Sequence, residues 1–148
     1  MSSVRRFASD ADGGYRWNTV ELLRYKEEGS APFKDISRQV LFEQPDQAVQ
    51  LRYFEIASGG YSTLERHQHT HAVLILRGRG SVQIGDEVHA LAERDLVTID
   101  PLTWHQFRAA SDCPLGFLCL VASARDRPQL PSADERGGLD KGGAGTGV

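Results

Sequence analysis

Between Arg38 and Ala122, apolar and polar residues alternate in short runs separated by turn residues. The runs are rich in β-branched, aromatic and aliphatic side chains, and a period of two marks strands with one face buried. They predict strands over residues 38–42, 50–57, 62–67, 71–77, 81–84, 87–91, 95–99, 105–109 and 115–122. Turn chemistry falls between most of them, at Gln44-Pro45-Asp46, Ser58-Gly59-Gly60, Gly85-Asp86 and Asp112-Cys113-Pro114. The two strands flanking Gly85-Asp86 suit a tight hairpin. Many short strands with no strong helix between them predict an all-β sandwich or barrel.

The two ends follow another pattern. Residues 1–37 read as an N-terminal arm, packed on the barrel or on a partner, and residues 38–124 as the barrel. Asn18, three residues before Glu21, resembles a helix start and Gly29 a helix stop. The same stretch also suits an extended arm that lays Trp17 and Tyr25 on a sheet. Trp17, Leu22, Leu23, Tyr25 and Phe33 are more apolar surface than a free tail should expose, which predicts a homodimer with the arm at its interface. Residues 125–148 carry Pro128, Pro131 and six glycines from Gly137 to Gly147, with little to bury, and are expected to form a flexible, disordered tail.

Composition narrows the function classes. The chain has 148 residues, 40% hydrophobic and 25% charged, with a net charge of -3. That suits one globular domain and offers no electrostatic footprint for nucleic acid or an anionic membrane. No stretch approaches the length of a membrane span, and Arg5-Arg6 is not followed by the apolar segment of a secretory signal. The expected location is cytoplasmic. Cys113 and Cys119 have no metal-ligand spacing, and a reduced pair is expected, Cys119 as a small core residue.

Histidines carry the chemistry. In Glu65-Arg66-His67-Gln68-His69-Thr70-His71, one carboxylate and three imidazoles occupy alternate positions. On a continuous strand all four line one face. They run into Ala72-Val73-Leu74-Ile75-Leu76, so if His71 points inward, so do Val73 and Ile75. Polar groups opening into an apolar interior need partners, and neutral imidazoles with a carboxylate are what a borderline divalent metal takes. His105, from a distant strand, can close the shell. Periodicity alone does not exclude His69 from the ligands. His89 is an ordinary strand residue.

The arrangement resembles the cupin superfamily, whose first motif is commonly written G-x5-H-x-H-x3,4-E-x6-G. Here it reads Gly59-x5-Glu65-x-His67-x3-His71-x6-Gly78. Glu65 stands where the first His is usual and His71 where Glu is usual, so the set is permuted. The second motif, G-x5-P-x-G-x2-H-x3-N, is represented by Arg94-Asp95, by Asp100-Pro101-Leu102-Thr103-Trp104-His105, and by Ala109 in place of Asn. The resemblance implies a single jelly-roll β-barrel, often dimeric, and a divalent metal held by Glu65, His67, His71 and His105. It leaves His69 in the gap of the motif, as a group beside the ligands. Three imidazoles and one carboxylate suit Mn, Fe, Co, Ni, Cu or Zn.

Two functional classes follow. The first is an enzyme acting on a small organic molecule, of oxygenase, lyase or isomerase type. Tyr61 is the candidate proton donor. Thr63 shares its parity, Phe107 shares that of His105, and Phe117 and Arg52 are further candidates for the pocket. Trp104 can guard its mouth. The second class is a non-catalytic module that binds or senses a small ligand.

Overall fold

A computed structural model describes residues 2–24, 33–123 and 129–143. The elements in chain order are β1 (Phe7–Ser9), β2 (Tyr15–Trp17), β3 (Leu23–Arg24), β4 (Lys34–Glu43), β5 (Val49–Tyr61), β6 (His71–Gly78), β7 (Gly80–Ile84), β8 (Glu87–Leu91), β9 (Leu96–Ile99), β10 (His105–Ala109), β11 (Leu115–Ala122) and α1 (Ala133–Gly143). Strands β3 to β11 form one curled antiparallel sheet, ordered β8-β7-β10-β5-β11-β6-β9, with β4 added on β5 and β3 on β4. The predicted strands from residue 71 onward match observed ones to within a residue at each end. Ile56, Val73, Ile75, Val97, Ile99, Leu115 and Val121 share one buried cluster inside the curl. The alternation in β6 follows the expected parity: His71, Val73 and Ile75 are buried, and Leu74 between them is exposed.

The segment after β5 departs from expectation. No strand spans residues 62–67. Instead β5 continues through Gly59 and Gly60 to Tyr61. Gly59 sits at φ 76°, a left-handed conformation that glycine adopts without steric cost. Its N–H donates to Ala110 O at 2.8 Å, so the turn expected at Ser58-Gly59-Gly60 is a bend within a long strand. At the other end of the first motif Gly78 has φ 75°, and a Cβ there would lie 1.7 Å from Pro114 O.

The arm lies on this chain's own barrel. β1 and β2 pair, Phe7 opposite Trp17. Tyr15 stacks on Tyr53 at 5.9 Å and Trp17 meets the same ring edge-on at 5.1 Å. Glu55 fastens the contact by accepting from Tyr53 Oη at 2.8 Å, Arg77 at 2.7 Å and the Tyr15 N–H at 3.4 Å. Phe33 packs against the core. The helix reading of 17–29 is not realised in its described part, where Trp17 is in β2 and Leu23 in β3. Tyr25 and Gly29 lie outside the described residues. Self-packing accounts for Trp17 and Phe33, two of the residues that suggested a partner.

The tail, too, holds more structure than its glycine content suggested. Gln129 bridges Arg66, and α1 begins behind a capping box. Ser132 Oγ accepts from the Glu135 N–H at 3.3 Å while Glu135 Oε1 accepts from the Ser132 N–H at 3.5 Å. That reciprocal pattern, with Asp134 and Glu135 in the first turn, starts a helix despite poor interior propensity. Among the described residues no helix is long and apolar enough to cross a membrane. Both cysteines are free thiols, with Cys119 buried.

Candidate metal centre

Three chain segments bring the site together. Glu65 and His67 come from the irregular stretch after β5, His71 opens β6, and His105 opens β10. Glu65 and His105 exchange backbone hydrogen bonds of 3.1 and 2.9 Å, which fixes two candidate ligands against each other. Leu102 N–H donates to His67 O at 2.6 Å and anchors the next one. His67, His71 and His105 are 5%, 6% and 4% exposed, an unusual burial for three imidazoles.

The rings converge. Centroids of His67 and His71 are 4.2 Å apart, those of His67 and His105 5.3 Å, and those of His71 and His105 5.5 Å. Glu65 Oε1 lies 3.1 Å from His67 Nε2. His105 Nδ1 is 2.9 Å from Thr103 O. A carbonyl oxygen only accepts, so Nδ1 carries the proton and the neutral ring keeps Nε2 as its lone-pair donor. Cys119 Sγ packs 3.8 Å from His71 Nδ1.

Two overlapping sets of donor atoms lie within 4.8 Å of one another: Glu65, His67 and His105, and His67, His69 and His71. His67 belongs to both. The bend at Gln68 and His69 breaks the continuous strand assumed from the alternation, yet keeps the histidines together. His69 comes closer than its place in the motif gap implied, its ring stacked on His71 at 4.7 Å. Glu65, His67, His71 and His105 line a cavity of about 400 Å³, and His69 is not on its wall. Three buried imidazoles and a carboxylate, opening into an apolar space, fit one divalent metal ion.

The same cavity sorts the other candidates. Thr63, Phe107, Phe117 and Arg52 line it. Tyr61 does not. β5 ends at Tyr61 and residues 62–64 belong to no strand, so the alternation that linked Tyr61 to Glu65 is broken, and its ring sits under the Arg108 guanidinium at 4.9 Å. Tyr61 thus stands outside the residues that line the cavity, away from a proton donor's place. Trp104 is also off the wall, stacked under Arg66 at 4.4 Å. The sequence did not single out Arg38, Phe54 or Ser62, all of which line the cavity. Arg38 sits directly opposite Phe54 across β4 and β5, a pairing only the fold reveals.

Outside the cavity, burial and the neighbouring Glu55 push the Tyr53 phenol far above its ordinary value. Tyr53 therefore stays protonated and keeps the arm latched.

Comparisons with known proteins agree with this geometry. Residues 52–121 match the Cupin domain family. The 1-methylthio-D-xylulose 5-phosphate methylsulfurylase of Rhodospirillum rubrum is 59% identical over 118 residues, covering 80% of this chain and 76% of that protein. A crystal structure of a cupin 2 conserved barrel domain protein from Rhodopseudomonas palustris superposes with a TM-score of 0.84 at 53% identity, covering 94% of this chain and 93% of that one. A cupin-2 domain from Rhodospirillum rubrum gives 0.82 at 55% identity, over 86% and 85% of the two chains. The chain belongs to the cupin family.

Proposed function

We propose that this chain is a metal-dependent enzyme that removes the methylthio group from a 1-methylthio-ketose 5-phosphate. The observation that carries the reading is the cluster of Glu65 with the buried His67, His71 and His105 at the wall of a mostly apolar cavity. The substrate is suggested by the Rhodospirillum rubrum relative, which is named for 1-methylthio-D-xylulose 5-phosphate.

Glu65, His67, His71 and His105 hold the ion, and His69 orients the cluster from beside it. A divalent ion bound there supplies Lewis acidity to the ketone oxygen next to the reacting carbon. Phe54, Phe107 and Phe117 stack in series, at 5.6 and 4.6 Å, and give the methylthio end an apolar wall that excludes water. Removing a methylthio group with retention of the ketose is a two-electron reduction at carbon. A thiol co-substrate balances it. The carbon–sulfur bond breaks, a sulfur–sulfur bond forms to the thiol, and carbon takes the proton the thiol gives up.

The test is direct. The chain, loaded with Mn, Fe, Co, Ni or Zn in turn, is incubated with 1-methylthio-D-xylulose 5-phosphate, with and without a small thiol. Mass spectrometry should show thiol-dependent loss of the methylthio group with at least one metal. Tight binding of the sugar with no turnover under any of these conditions would support the non-catalytic module instead.

A further inference from the structure

We infer that Arg38 and Arg52 form a phosphate subsite in the cavity that holds the metal cluster, so that one substrate spans the two. This rests on the reading of the chain as an enzyme of a phosphorylated ketose, and it assigns the residues that recognise the phosphate.

Both guanidiniums line the cavity, together with Glu65, His67, His71 and His105. The sheet register places them as a pair. Arg38 lies opposite Phe54 and Val40 opposite Arg52, so Arg38 and Arg52 are diagonal neighbours on the inner face. Diagonal neighbours in an antiparallel pair are about 7–8 Å apart at the backbone, within reach of one tetrahedral anion for two long side chains.

Arg52 is held in place from behind. Its Nε donates to Gln50 Oε1 at 2.7 Å, and Gln50, only 9% exposed, donates in turn to Glu43. Arginine offers five N–H donors in a fixed fork that matches phosphate oxygens in pairs. An anchored Nε sets that fork's orientation.

Guanidinium chemistry selects the ligand. Among the described residues lining the cavity the arginines are Arg38 and Arg52, and the one carboxylate, Glu65, belongs to the metal cluster. Paired N–H donors beside a metal centre suit an anion that offers several oxygens, such as phosphate.

The reach also fits. Arg52 pairs with Cys119 across β5 and β11, and Cys119 Sγ is 3.8 Å from His71. One strand spacing, about 4.8 Å, thus separates the row of Arg52 from a strand that touches a metal-cluster histidine. A small molecule can reach the cluster with one end and the guanidiniums with the other.

The test uses binding, so it does not depend on turnover. The full chain, loaded with manganese, is titrated calorimetrically with D-xylulose 5-phosphate, D-xylulose and inorganic phosphate. The phosphorylated sugar should bind at least about tenfold more tightly than the free sugar, and inorganic phosphate should compete with it. Arg38→Gln and Arg52→Gln should each remove most of that preference while metal content and D-xylulose binding stay unchanged. Arg52→Lys, which keeps the charge without the fork, should retain part of it and guards against a Gln variant that fails to fold. Equal binding of the two sugars by the unaltered chain would overturn the subsite, as would folded, metal-loaded variants with an intact preference. Should the chain show the preference yet never release a methylthio group, the reaction reading fails and the subsite stands. Should turnover occur with an unchanged KM in the arginine variants, the subsite fails alone.

Discussion

Glu65 and His105 come from segments forty residues apart, yet they face each other as a two-hydrogen-bond pair of 3.1 and 2.9 Å. That pair makes Glu65 a partner of the last histidine in space, and gives the permuted cluster its shared wall. His69 sits on the other side of His67 and off the cavity. Glu65→Ala is therefore expected to weaken metal affinity by more than about a hundredfold, and His69→Ala by less, at most the roughly 10–100-fold typical of groups that orient ligands. Chelator competition measures both. If His69→Ala empties the site and Glu65→Ala does not, the ion sits in the His67, His69 and His71 set.

Protons compete with the metal for every imidazole. Free imidazole titrates near pH 6.5, and each ligand must be neutral to bind. Affinity should thus be full above about pH 7 and fall steeply as pH drops through about 6. Titrations at several pH values check this, and a flat profile would mean that histidines do not hold the ion.

Tyr53 gives a pH effect of opposite direction, on stability. In the folded chain burial and Glu55 hold its phenol well above the ordinary value of 10.0, which the unfolded chain keeps. Its contribution is complete below about pH 10. Above that the unfolded state loses the proton and the folded state does not, so stability declines by up to about 1.4 kcal/mol per pH unit. Tyr53→Phe should cost about 1–3 kcal/mol at neutral pH, through the hydrogen bond lost by Glu55, and should flatten the alkaline decline. Urea denaturation at pH 8 and pH 11 compares the two. Equal declines in both proteins would contradict the account.

The second motif allows a backbone prediction. Counted back from His105, its two glycine positions fall on Arg94 and Leu102, and these have φ of 76° and 60°. The fold keeps a left-handed turn where the chain has lost the residue suited to it. Both side chains are exposed, so little packing offsets the strain. Arg94→Gly should stabilise the chain by about 0.5–1 kcal/mol, the left-handed penalty less the added freedom of glycine when unfolded. Thermal denaturation measures it, and a lower midpoint would contradict it.

Much of this was legible in the sequence, and the physical reasons differ by element. Strands β6 and β9 declared themselves because one face of each is buried, so apolar residues recur at every second position, and β11 because it is a nearly continuous apolar run. The glycine-framed spacing around His67 was readable because Gly59 and Gly78 both need left-handed backbone. Tyr61 was grouped with Glu65 because alternation assumes an unbroken strand, whereas β5 ends at Tyr61 and the chain from there to Glu65 is irregular. Arg38 stayed hidden because its role depends on facing Phe54, on another strand. Helix α1 was hidden by its own glycines, with its start signal in Ser132 and Glu135 outside the apolar pattern.

The central claim is that Glu65, His67, His71 and His105 hold one divalent ion. It is tested most directly by metal content per chain, measured by mass spectrometry on untagged protein after purification and again after reloading. The account predicts about one ion per chain for the unaltered protein, and close to none for His67→Ala, the residue common to both donor sets. A chain that takes up no first-row divalent metal, or a folded His67→Ala variant that stays fully loaded, would contradict it.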